Sequence, residues 1–389
     1  MTLYIGNKRI CPVVKVKGND TQGKYLITII DYDGTVLFQD HLDTGARVYM
    51  PPPPTHSNLT FQGWTCAKYI GYDGRNYFYD VTDEDVTIGA MYDTVDGWTE
   101  FDIELNENTG LTVTMKMNLT KYWGDGTSDM TTSHTYANYG KYTIRCNGTS
   151  WGANSSSGGL FGQTSSAVNW FVKAVRVGSK VSGFNSSYVF CYCSGMKSIS
   201  LPQKSTLFAS YFLRAATGLK ALVVPYGVTG LGNYSCYGLT GLEYITLPTT
   251  LKSLNSNCLG SNARLRCCTM PDTMNTISSN TFQGCTGLMS LKLPTSGSFV
   301  YTTAAFYNCS NVPYLKFAVK STIPAQLCYG MRNCEVFDFT DFTSVPTLSS
   351  TNAFTGISPL AVFKIPSSLL NSWKTASNWS TYANQMVGV

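Results

Sequence analysis

A repeat with a period of 23 residues governs the second half of this 389-residue chain. The marker of each unit is an apolar residue followed by Pro. Five such markers follow one another at intervals of 23 residues: Leu201-Pro202, Val224-Pro225, Leu247-Pro248, Met270-Pro271 and Leu293-Pro294. Four further units continue the register with spacings of 22 to 26 residues: Val177-Gly178, Phe317-Ala318, Phe339-Thr340 and Ile365-Pro366. A constant period of this length is typical of a solenoid, so the sequence predicts nine stacked coils.

Apolar and polar residues alternate just before each marker. Counting back from the second residue of each marker, which is usually Pro, the positions one, three and six before it are apolar in all nine units. The whole chain is only 43% hydrophobic. In the last unit these positions are Ile365, Phe363 and Leu360. The position two before is polar in eight of the nine units, and Val223 is the exception. Alternation with a period of two predicts one short strand per coil with one buried face, and Pro ends the strand because it has no N–H to donate.

A single coil cannot fold alone. Burial of its three or four core side chains contributes about 5–10 kcal/mol, whereas ordering its backbone costs at least ~20 kcal/mol. Each coil must therefore cover the apolar face of its neighbour. At the C-terminus Leu369, Leu370, Trp373 and Ala376 share one helical face, with Ser367 or Ser368 as a candidate cap, which predicts a short capping helix.

The residue pattern of the repeat resembles a known family. The run from Phe282 to Pro294, with Cys285, Leu288 and Leu291 at the apolar positions, is similar to the BspA-like leucine-rich repeats of bacterial and some protist surface proteins. The resemblance covers about residues 165–389 and implies a leucine-rich-repeat solenoid over 150–389 that binds a partner at a cell surface. It does not identify the ligand.

Residues 23–94 predict a small β module. A strand pattern over 25–31 is followed by the hairpin turn Asp33-Gly34, a return strand, a run of prolines over 51–54 and the sequence Phe61-Gln-Gly-Trp64. This order resembles the β-grasp repeats of the internalin B type in Listeria and Bacteroides surface proteins. We expect Trp64 to lie in the core or in partly exposed packing of that module.

Residues 95–149 predict a second β module. The stretches Trp123-Gly-Asp-Gly126, His134-Thr-Tyr136 and Gly140–Ile144 are similar to PKD domains, which are β-sandwich spacers of extracellular proteins. The Gly-rich and Ser-rich residues 152–166 predict a flexible join to the solenoid. The expected fold is therefore mostly β, with β-grasp-like and PKD-like modules followed by the solenoid and its helix.

Composition argues against several functions. The net charge of +5 is small for a nucleic-acid binder of this length, and no apolar run approaches the roughly 18 residues that a membrane span needs. No motif of a hydrolase, a phosphate-binding loop or a zinc protease occurs. The odd count of 13 cysteines suits buried thiols rather than a disulfide framework. We expect no enzyme activity, no catalytic residue, no cofactor and no metal site.

Three conceivable metal sites, two for zinc and one for calcium, fit the sequence poorly. Zinc at Cys191/Cys193 or Cys267/Cys268 lacks tetrahedral ligand spacing, and every histidine lies far away in the sequence. Calcium at Asp125 and Asp129 lacks the six or more oxygen ligands that a hard cation prefers.

The outward strand positions predict the ligand-binding face. A solenoid presents side chains from successive coils on one continuous surface, and Tyr with Lys suits contact with sugars or with an acidic protein patch. The candidate residues two and four positions before the markers are Tyr244, Thr246, Lys292, Tyr314, Lys316 and Lys364. An alternative set lies in a turn column: Tyr237, Tyr307 and Tyr329.

These features predict a non-enzymatic adhesion or receptor-binding protein. Its expected partner is a cell-surface glycan or protein receptor, without nucleic-acid binding or membrane insertion, and a homo-oligomer is compatible with the sequence. Because no signal peptide is visible, a phage or prophage virion protein is favoured over a bacterial surface adhesin. Residues 1–22 would then dock to other virion proteins. A purely structural spacer or assembly protein is the rival from another class.

Overall fold

The computed structural model describes residues 3–5, 8–10, 24–148, 150–151, 159–162, 170–181, 183–184, 187–203, 208–295 and 299–389. Within residues 1–22 it describes a two-stranded antiparallel ladder of β1 (Leu3–Ile5) and β2 (Lys8–Ile10). The remainder of 1–22, and the join over 152–166 apart from 159–162, lie outside the described residues.

The first module consists of a four-stranded and a three-stranded sheet. Its strands are β3 (Tyr25–Ile30), β4 (Val36–Leu42), β5 (Arg47–Tyr49), β6 (Leu59–Thr65), β7 (Gly71–Tyr72), β8 (Tyr77–Asp80) and β9 (Val86–Thr94). The strand orders are β4-β3-β9-β6 and β5-β8-β7. Gly34 adopts a φ of +89° in the turn between β3 and β4, which a side chain would disfavour. Trp64 is 5% exposed and lies in the module's core.

The second module shares its main sheet with the solenoid. Its strands are β10 (Thr99–Leu105), β11 (Thr112–Thr114), β12 (Lys121–Tyr122), β13 (Ser128–Asp129), β14 (Ser133–Thr135) and β15 (Gly140–Cys146). The strand β16 (Ser150–Trp151) follows the module and pairs in parallel with β18 (Gly183–Phe184) of the solenoid. One edge of β10 pairs antiparallel with β15 and the other with β17 (Val172–Arg176), the first strand of the repeat. The backbone groups at that end of the solenoid are therefore hydrogen-bonded rather than left as an open edge.

The solenoid has the nine repeat strands that the periodicity predicts. After β17 come β19 (Ser198–Ser200), β20 (Ala221–Val223), β22 (Tyr244–Thr246), β24 (Cys267–Thr269), β26 (Ser290–Lys292), β28 (Tyr314–Lys316), β30 (Val336–Asp338) and β32 (Val362–Ile365). A second column of two-residue strands comprises β18 (Gly183–Phe184), β21 (Gly230–Leu231), β23 (Ser253–Leu254), β25 (Thr276–Ile277), β27 (Val300–Tyr301), β29 (Thr322–Ile323) and β31 (Thr347–Leu348). Neighbouring coils pair in parallel, with Cys268 opposite Leu291 as an example.

The residues one, three and six positions before the second residue of each marker form three apolar columns, which pack into one core. The predicted burial is wrong for one of these residues. Every residue of these columns is buried except Leu360, which is 86% exposed. The last coil is longer than the others, and Ala361 occupies the inward position instead, with 1% exposure. The backbone N–H of Ala361 donates to the Ser358 carbonyl at 3.1 Å, which makes the turn that points Leu360 outward.

The coils described at this turn pass through a residue in the left-handed region. Gly238, Gly284, Gly330 and Gly356 occupy equivalent turns with φ between +71° and +75°. Asn308 holds the same position in a neighbouring coil with φ +58°. Gly and Asn tolerate this conformation most easily. Tyr192, Ala215 and Ser261 hold the same position in three other coils with φ between +57° and +60°, so the backbone turn repeats with the period although the residue type does not.

The C-terminus closes the solenoid. The helix α1 (Leu370–Thr375) lies among short 3-10 helices at Thr351–Phe354, Ser367–Leu369 and Trp379–Gln385. Trp373 and Trp379 are fully buried, as a cap requires, but α1 begins after Leu369 and no serine side chain caps it. The sequence pattern did not predict β33 (Met386–Gly388), which pairs in parallel with β32. Among the described residues no helix is long and apolar enough to span a membrane.

The aromatic packing at this end generates a stability prediction. Phe339 is fully buried, stacks on Phe317 with ring centroids 4.4 Å apart, and contacts Trp373 and Trp379 at 5.5 and 5.6 Å. We expect Phe339→Ala to lower the free energy of unfolding of the C-terminal coils by about 3–5 kcal/mol, because the cavity cannot collapse fully. Urea unfolding followed by tryptophan fluorescence measures the loss.

The matched control is Leu360→Ala, which removes an apolar side chain from the surface of the same end. It should change the free energy of unfolding by no more than about 0.5 kcal/mol. Equal losses in the two variants would contradict the packing described for this cap.

Candidate functional site

The first module covers the outward side of the strand column from β19 to β24. The outward residues Ala221, Val223 and Tyr244 belong to the hydrophobic core of that module rather than to the solvent. Gly89 of β9 makes this approach possible, since a Cβ at Gly89 would lie 2.6 Å from a Val223 methyl. Glycine is therefore favoured where the backbone of β9 packs directly on the methyl groups of Val223 and Thr246.

Polar contacts complete the interface between the first module and the solenoid. The side-chain contacts include Lys68 Nζ with Asp272 Oδ2 at 3.2 Å, Thr87 Oγ1 with Cys267 Sγ at 3.2 Å, and Ser200 Oγ donating to the Tyr92 carbonyl at 3.0 Å. Lys68 also pairs with Glu84 at 2.9 Å inside the module. Opposite charges and these hydrogen bonds accompany the apolar contact, whereas the buried Thr246 hydroxyl has no hydrogen-bond partner among the described residues.

Two residues of the expected binding face are consequently buried. Tyr244 is 6% exposed and Thr246 is 1% exposed, because the first module lies over β22. The expectation that these two side chains face the solvent is wrong. Periodicity showed correctly that they point away from the solenoid core, but it did not show that another part of the chain lies on that side.

The first module leaves the outward side of the later repeat strands β26, β28, β30 and β32 largely uncovered, although Asp338 there is only 7% exposed. We call the outward residues of β26, β28, β30 and β32 the open half of the strand face: Ser290, Lys292, Tyr314, Lys316, Val336, Asp338, Val362 and Lys364. Where the open half meets the first module there is a cleft of about 640 Å³, with Lys24, Tyr25 and Asp83 on the module side. Four of the six candidate residues line this cleft: Lys292, Tyr314, Lys316 and Lys364.

Ion pairs and a short hydrogen bond fix several of these side chains. Lys292 Nζ lies 3.6 Å from Asp83 Oδ2 across the cleft. Tyr314, which is 44% exposed, donates its hydroxyl to Asp338 Oδ2 at 2.5 Å. A pre-positioned surface of this kind loses little side-chain entropy when a partner binds.

The pKa values of these groups follow from their neighbours. A hydrogen bond and the charge of Asp341, 2.9 Å away, raise the pKa of Lys316. Partial burial by itself raises the pKa of Asp83. The nearby Lys292 ammonium and hydrogen bonds lower it by more, so the pKa of Asp83 lies below its usual value. Both groups therefore keep their charges at neutral pH.

Two groups at the cleft retain unused polar capacity. Lys364 forms no ion pair with any carboxylate in the described part of the chain, although Asp338 is its partner in strand register. Glu84 is 4% exposed, and its Oε2 has no hydrogen-bond partner among the described residues. The Lys364 ammonium is therefore available to an anionic ligand, whereas the Glu84 oxygen is too deeply buried for a ligand in the cleft to reach.

The alternative turn residues do not form one surface. Tyr307 and Tyr329 stack with ring centroids 4.7 Å apart and an interplanar angle of 2°. Tyr237 lies several coils away, against the backbone of Gly260 and at 5.4 Å from the ring of Tyr234. All three rings are half-buried.

Groups with potential catalytic or metal chemistry are engaged in structure. The cysteines of the described residues are free and buried, and burial raises the pKa of Cys285 to about 12, which disfavours the nucleophilic thiolate. Asp125 accepts hydrogen bonds from Thr127 and lies 2.8 Å from His134 Nε2. Across the described ranges, no group of three or more His, Cys, Asp or Glu is placed to hold a metal ion.

Comparison with known proteins bears on the solenoid. Residues 185–313 match the family model for the BspA type leucine-rich repeat region, in six copies. This match agrees with the repeat register and covers its central coils. No curated protein matches the chain.

Solved leucine-rich-repeat proteins resemble the chain at low identity. The Treponema pallidum protein TpLRR is 20% identical over 39% of this chain and 71% of its own, with a TM-score of 0.35. A Bacteroides ovatus leucine-rich repeat protein is 14% identical over 66% and 72%, with a TM-score of 0.40. A leucine-rich cell surface protein of Faecalibacterium prausnitzii is 18% identical over 49% and 65%, with a TM-score of 0.29.

The sequence does contain a signal for which outward strand residues the first module covers. The outward positions of β19, β20, β22 and β24 carry no charged residue, whereas those of β26 to β32 include Lys292, Lys316, Asp338 and Lys364. The only apolar residue two positions before a marker, Val223, is the one that meets Gly89. A run of coils without charged outward residues thus indicates where another part of the chain packs on the solenoid.

Docking of the first module can be tested through Cys267. This thiol points outward, is 9% exposed beneath Thr87, and burial raises its pKa to about 11. We expect Gly89→Val to lift the module from β20 and β22 and to speed N-ethylmaleimide labelling of Cys267 at least about tenfold. Peptide-resolved mass spectrometry measures the rate.

Gly140→Ala is the control, because a Cβ at Gly140 meets its nearest atom at an ordinary 3.7 Å. It should leave the labelling rate unchanged. If Cys267 in folded Gly89→Val reacts as slowly as in the unaltered protein, the close contact at Gly89 does not hold the module in place.

Proposed function

We propose that the chain is a non-enzymatic recognition protein that binds a cell-surface glycan or protein receptor through the open half of the strand face. The observation that carries this proposal is the cleft of about 640 Å³, where the open half meets the first module. Lys292, Tyr314, Lys316 and Lys364 converge there from successive coils, although they are far apart in the sequence.

The chemistry of the surface supports a polar, partly anionic partner. Tyr314 offers an aromatic ring with 44% exposure, and Lys364 offers a cation without a carboxylate partner in the described residues. Aromatic rings contact sugar rings and apolar side chains, while ammonium groups attract carboxylates and other anions. The stacked coils keep these groups at fixed distances, so a ligand meets a rigid surface.

The first module contributes to specificity in this proposal. Lys24, Tyr25 and Asp83 form the opposite wall of the cleft, so a ligand would contact two parts of the chain at once. A cleft buries more of a ligand than an open sheet does, which raises the discrimination between related partners.

We further propose that the protein is displayed on a phage or prophage particle, as a fibre or decoration protein, with a bacterial surface adhesin as the alternative. Support for the virion comes from the arrangement of small β modules joined to a solenoid. Residues 1–22 would dock to other virion proteins. Immunogold imaging of purified virions decides between these settings: labelled particles support the virion, and labelled bacterial walls support the adhesin.

A structural spacer or assembly protein remains the rival from another class. In that case the open half would contact copies of this chain, and cell attachment would not depend on its side chains. Hydrolysis of a polysaccharide panel by the purified protein would contradict the non-enzymatic proposal.

The central test is cell attachment by a double variant. Lys292→Ala with Tyr314→Ala removes a cation and a ring from the cleft, and we expect at least about tenfold weaker whole-cell binding, the effect of losing an interface hot spot. Flow cytometry with the labelled full chain measures the binding, and a glycan array with the same protein identifies the sugar class.

Lys252→Ala is the matched control, since Lys252 is exposed and precedes β23 in the other strand column. It should bind cells as the unaltered protein does. Undiminished attachment of the double variant would show that the open half is not the recognition surface.

A further inference from the structure

Three tyrosines stack along one corner of the first coils. The rings of Tyr188 and Tyr211 are parallel within 4° with centroids 4.3 Å apart, and those of Tyr211 and Tyr234 within 1° at 5.2 Å. All three are half-buried, so their ring edges reach the surface. We call these residues, together with Arg214, the tyrosine ladder.

The backbone does not favour tyrosine at these positions. Tyr188, Tyr211 and Tyr234 have φ values of +70°, +61° and +54°. The equivalent residues of the next two coils are Asn257 and Asn280, with φ values of +57° and +58°. Asn adopts this left-handed conformation more readily than a bulky aromatic residue does. Local backbone preference therefore does not account for the rings, and retained strain of this kind is common at binding sites.

A cation lies at the centre of the ladder. The Arg214 guanidinium carbon is 5.4 Å from the ring centroid of Tyr211 and 5.7 Å from that of Tyr234. The rings of Tyr192 and Tyr237 lie at 5.9 Å on its other sides. Arg214 forms no ion pair with a carboxylate within the described residues, so the rings hold its charge without neutralising it.

The surrounding sequence is free of acidic residues. Residues 130–242 contain no Asp or Glu but nine Lys and Arg. Arg145, Lys173 and Arg176 of that stretch pair with carboxylates of the second module, so their charges are used internally. Lys197 and Lys220, in the same coils as the ladder, are exposed. Glu243, the first carboxylate after this stretch, lies beside Lys220 of the neighbouring coil and pairs with Arg266 at 3.5 Å. The first coils thus have an excess of positive over negative charge that attracts anions.

We propose that the tyrosine ladder is a second binding site, which takes an acidic polysaccharide carrying carboxylate or sulfate groups. Arg214 would pair with an acidic group, and the tyrosine hydroxyls would exchange hydrogen bonds with sugar hydroxyls along successive coils. The site is independent of the open half of the strand face, which belongs to β26 to β32.

The geometry favours a polysaccharide over a single-stranded nucleic acid. The tyrosine rings cover each other's faces at 4.3 and 5.2 Å, so bases have no room to stack between them. What the ladder presents is a row of ring edges and hydroxyls beside one guanidinium. The net charge of +5 for the whole chain is also modest for a nucleic-acid binder.

Two variants test the site with substitutions that other coils already carry. Tyr211→Asn introduces asparagine, which later coils have at the equivalent positions 257 and 280. Arg214→Gln introduces glutamine, which a later coil has at the equivalent turn position as Gln283. Both suit the local backbone, so the melting temperature should stay close to that of the unaltered protein. A loss of binding then reports on the removed ring or cation.

Binding of the full chain is measured by biolayer interferometry with polygalacturonate, heparin, neutral dextran and a single-stranded oligonucleotide. We expect binding to polygalacturonate or to heparin, which separates carboxylate from sulfate recognition, and no binding to dextran. Tyr211→Asn and Arg214→Gln should each weaken that binding at least about tenfold.

Tyr307→Gln is the control, because Tyr307 and Tyr329 form a stacked pair in later coils. It should bind within about twofold of the unaltered protein. No binding to either acidic polymer, equal binding to dextran, tighter binding to the oligonucleotide, or full binding by Arg214→Gln would each overturn the site. The variant Lys292→Ala with Tyr314→Ala must retain the binding; its loss there would instead assign the polysaccharide to the open half.

Discussion

Hydrogen bonding and apolar packing between successive coils are the interactions on which the rest of this structure depends. No coil buries its own apolar residues, so inward side chains such as Cys268 and Leu291 are covered only because the next coil lies in parallel register. The same stacking sets outward residues of neighbouring coils side by side. Both the open half of the strand face and the tyrosine ladder are therefore products of coil stacking, on two different sides of the solenoid.

A stack of coils has two ends, and at each end other residues must cover the apolar side chains and pair with the last strand. At one end β10 of the second module pairs with β17, so the spacer module predicted from its PKD-like sequence is also the cap. At the other end Trp373 and Trp379 cover the last aromatic side chains, and β33 satisfies the edge of β32. The hydrophobic core consequently runs without interruption from the second module to the C-terminal helix.

The first module changes what the solenoid can present. Its strand β9 lies over β20 and β22, where Gly89 permits the approach to Val223, and this removes Tyr244 and Thr246 from the surface. The same docking creates the cleft, because Asp83 is brought opposite Lys292. Recognition by this face would therefore depend on two segments that are separated by some two hundred residues of sequence.

The sequence by itself determined the number of coils, the inward columns and the burial of Trp373, because each follows from short-range periodicity and from the requirement to bury apolar surface. It failed at Leu360, where the longer last coil breaks the period. Only the tertiary structure decided which outward residues stay exposed and which cations lack a partner. Docking of one module on another depends on complementary shapes far apart in the chain, and Gly89 has no side chain whose pattern could indicate the contact.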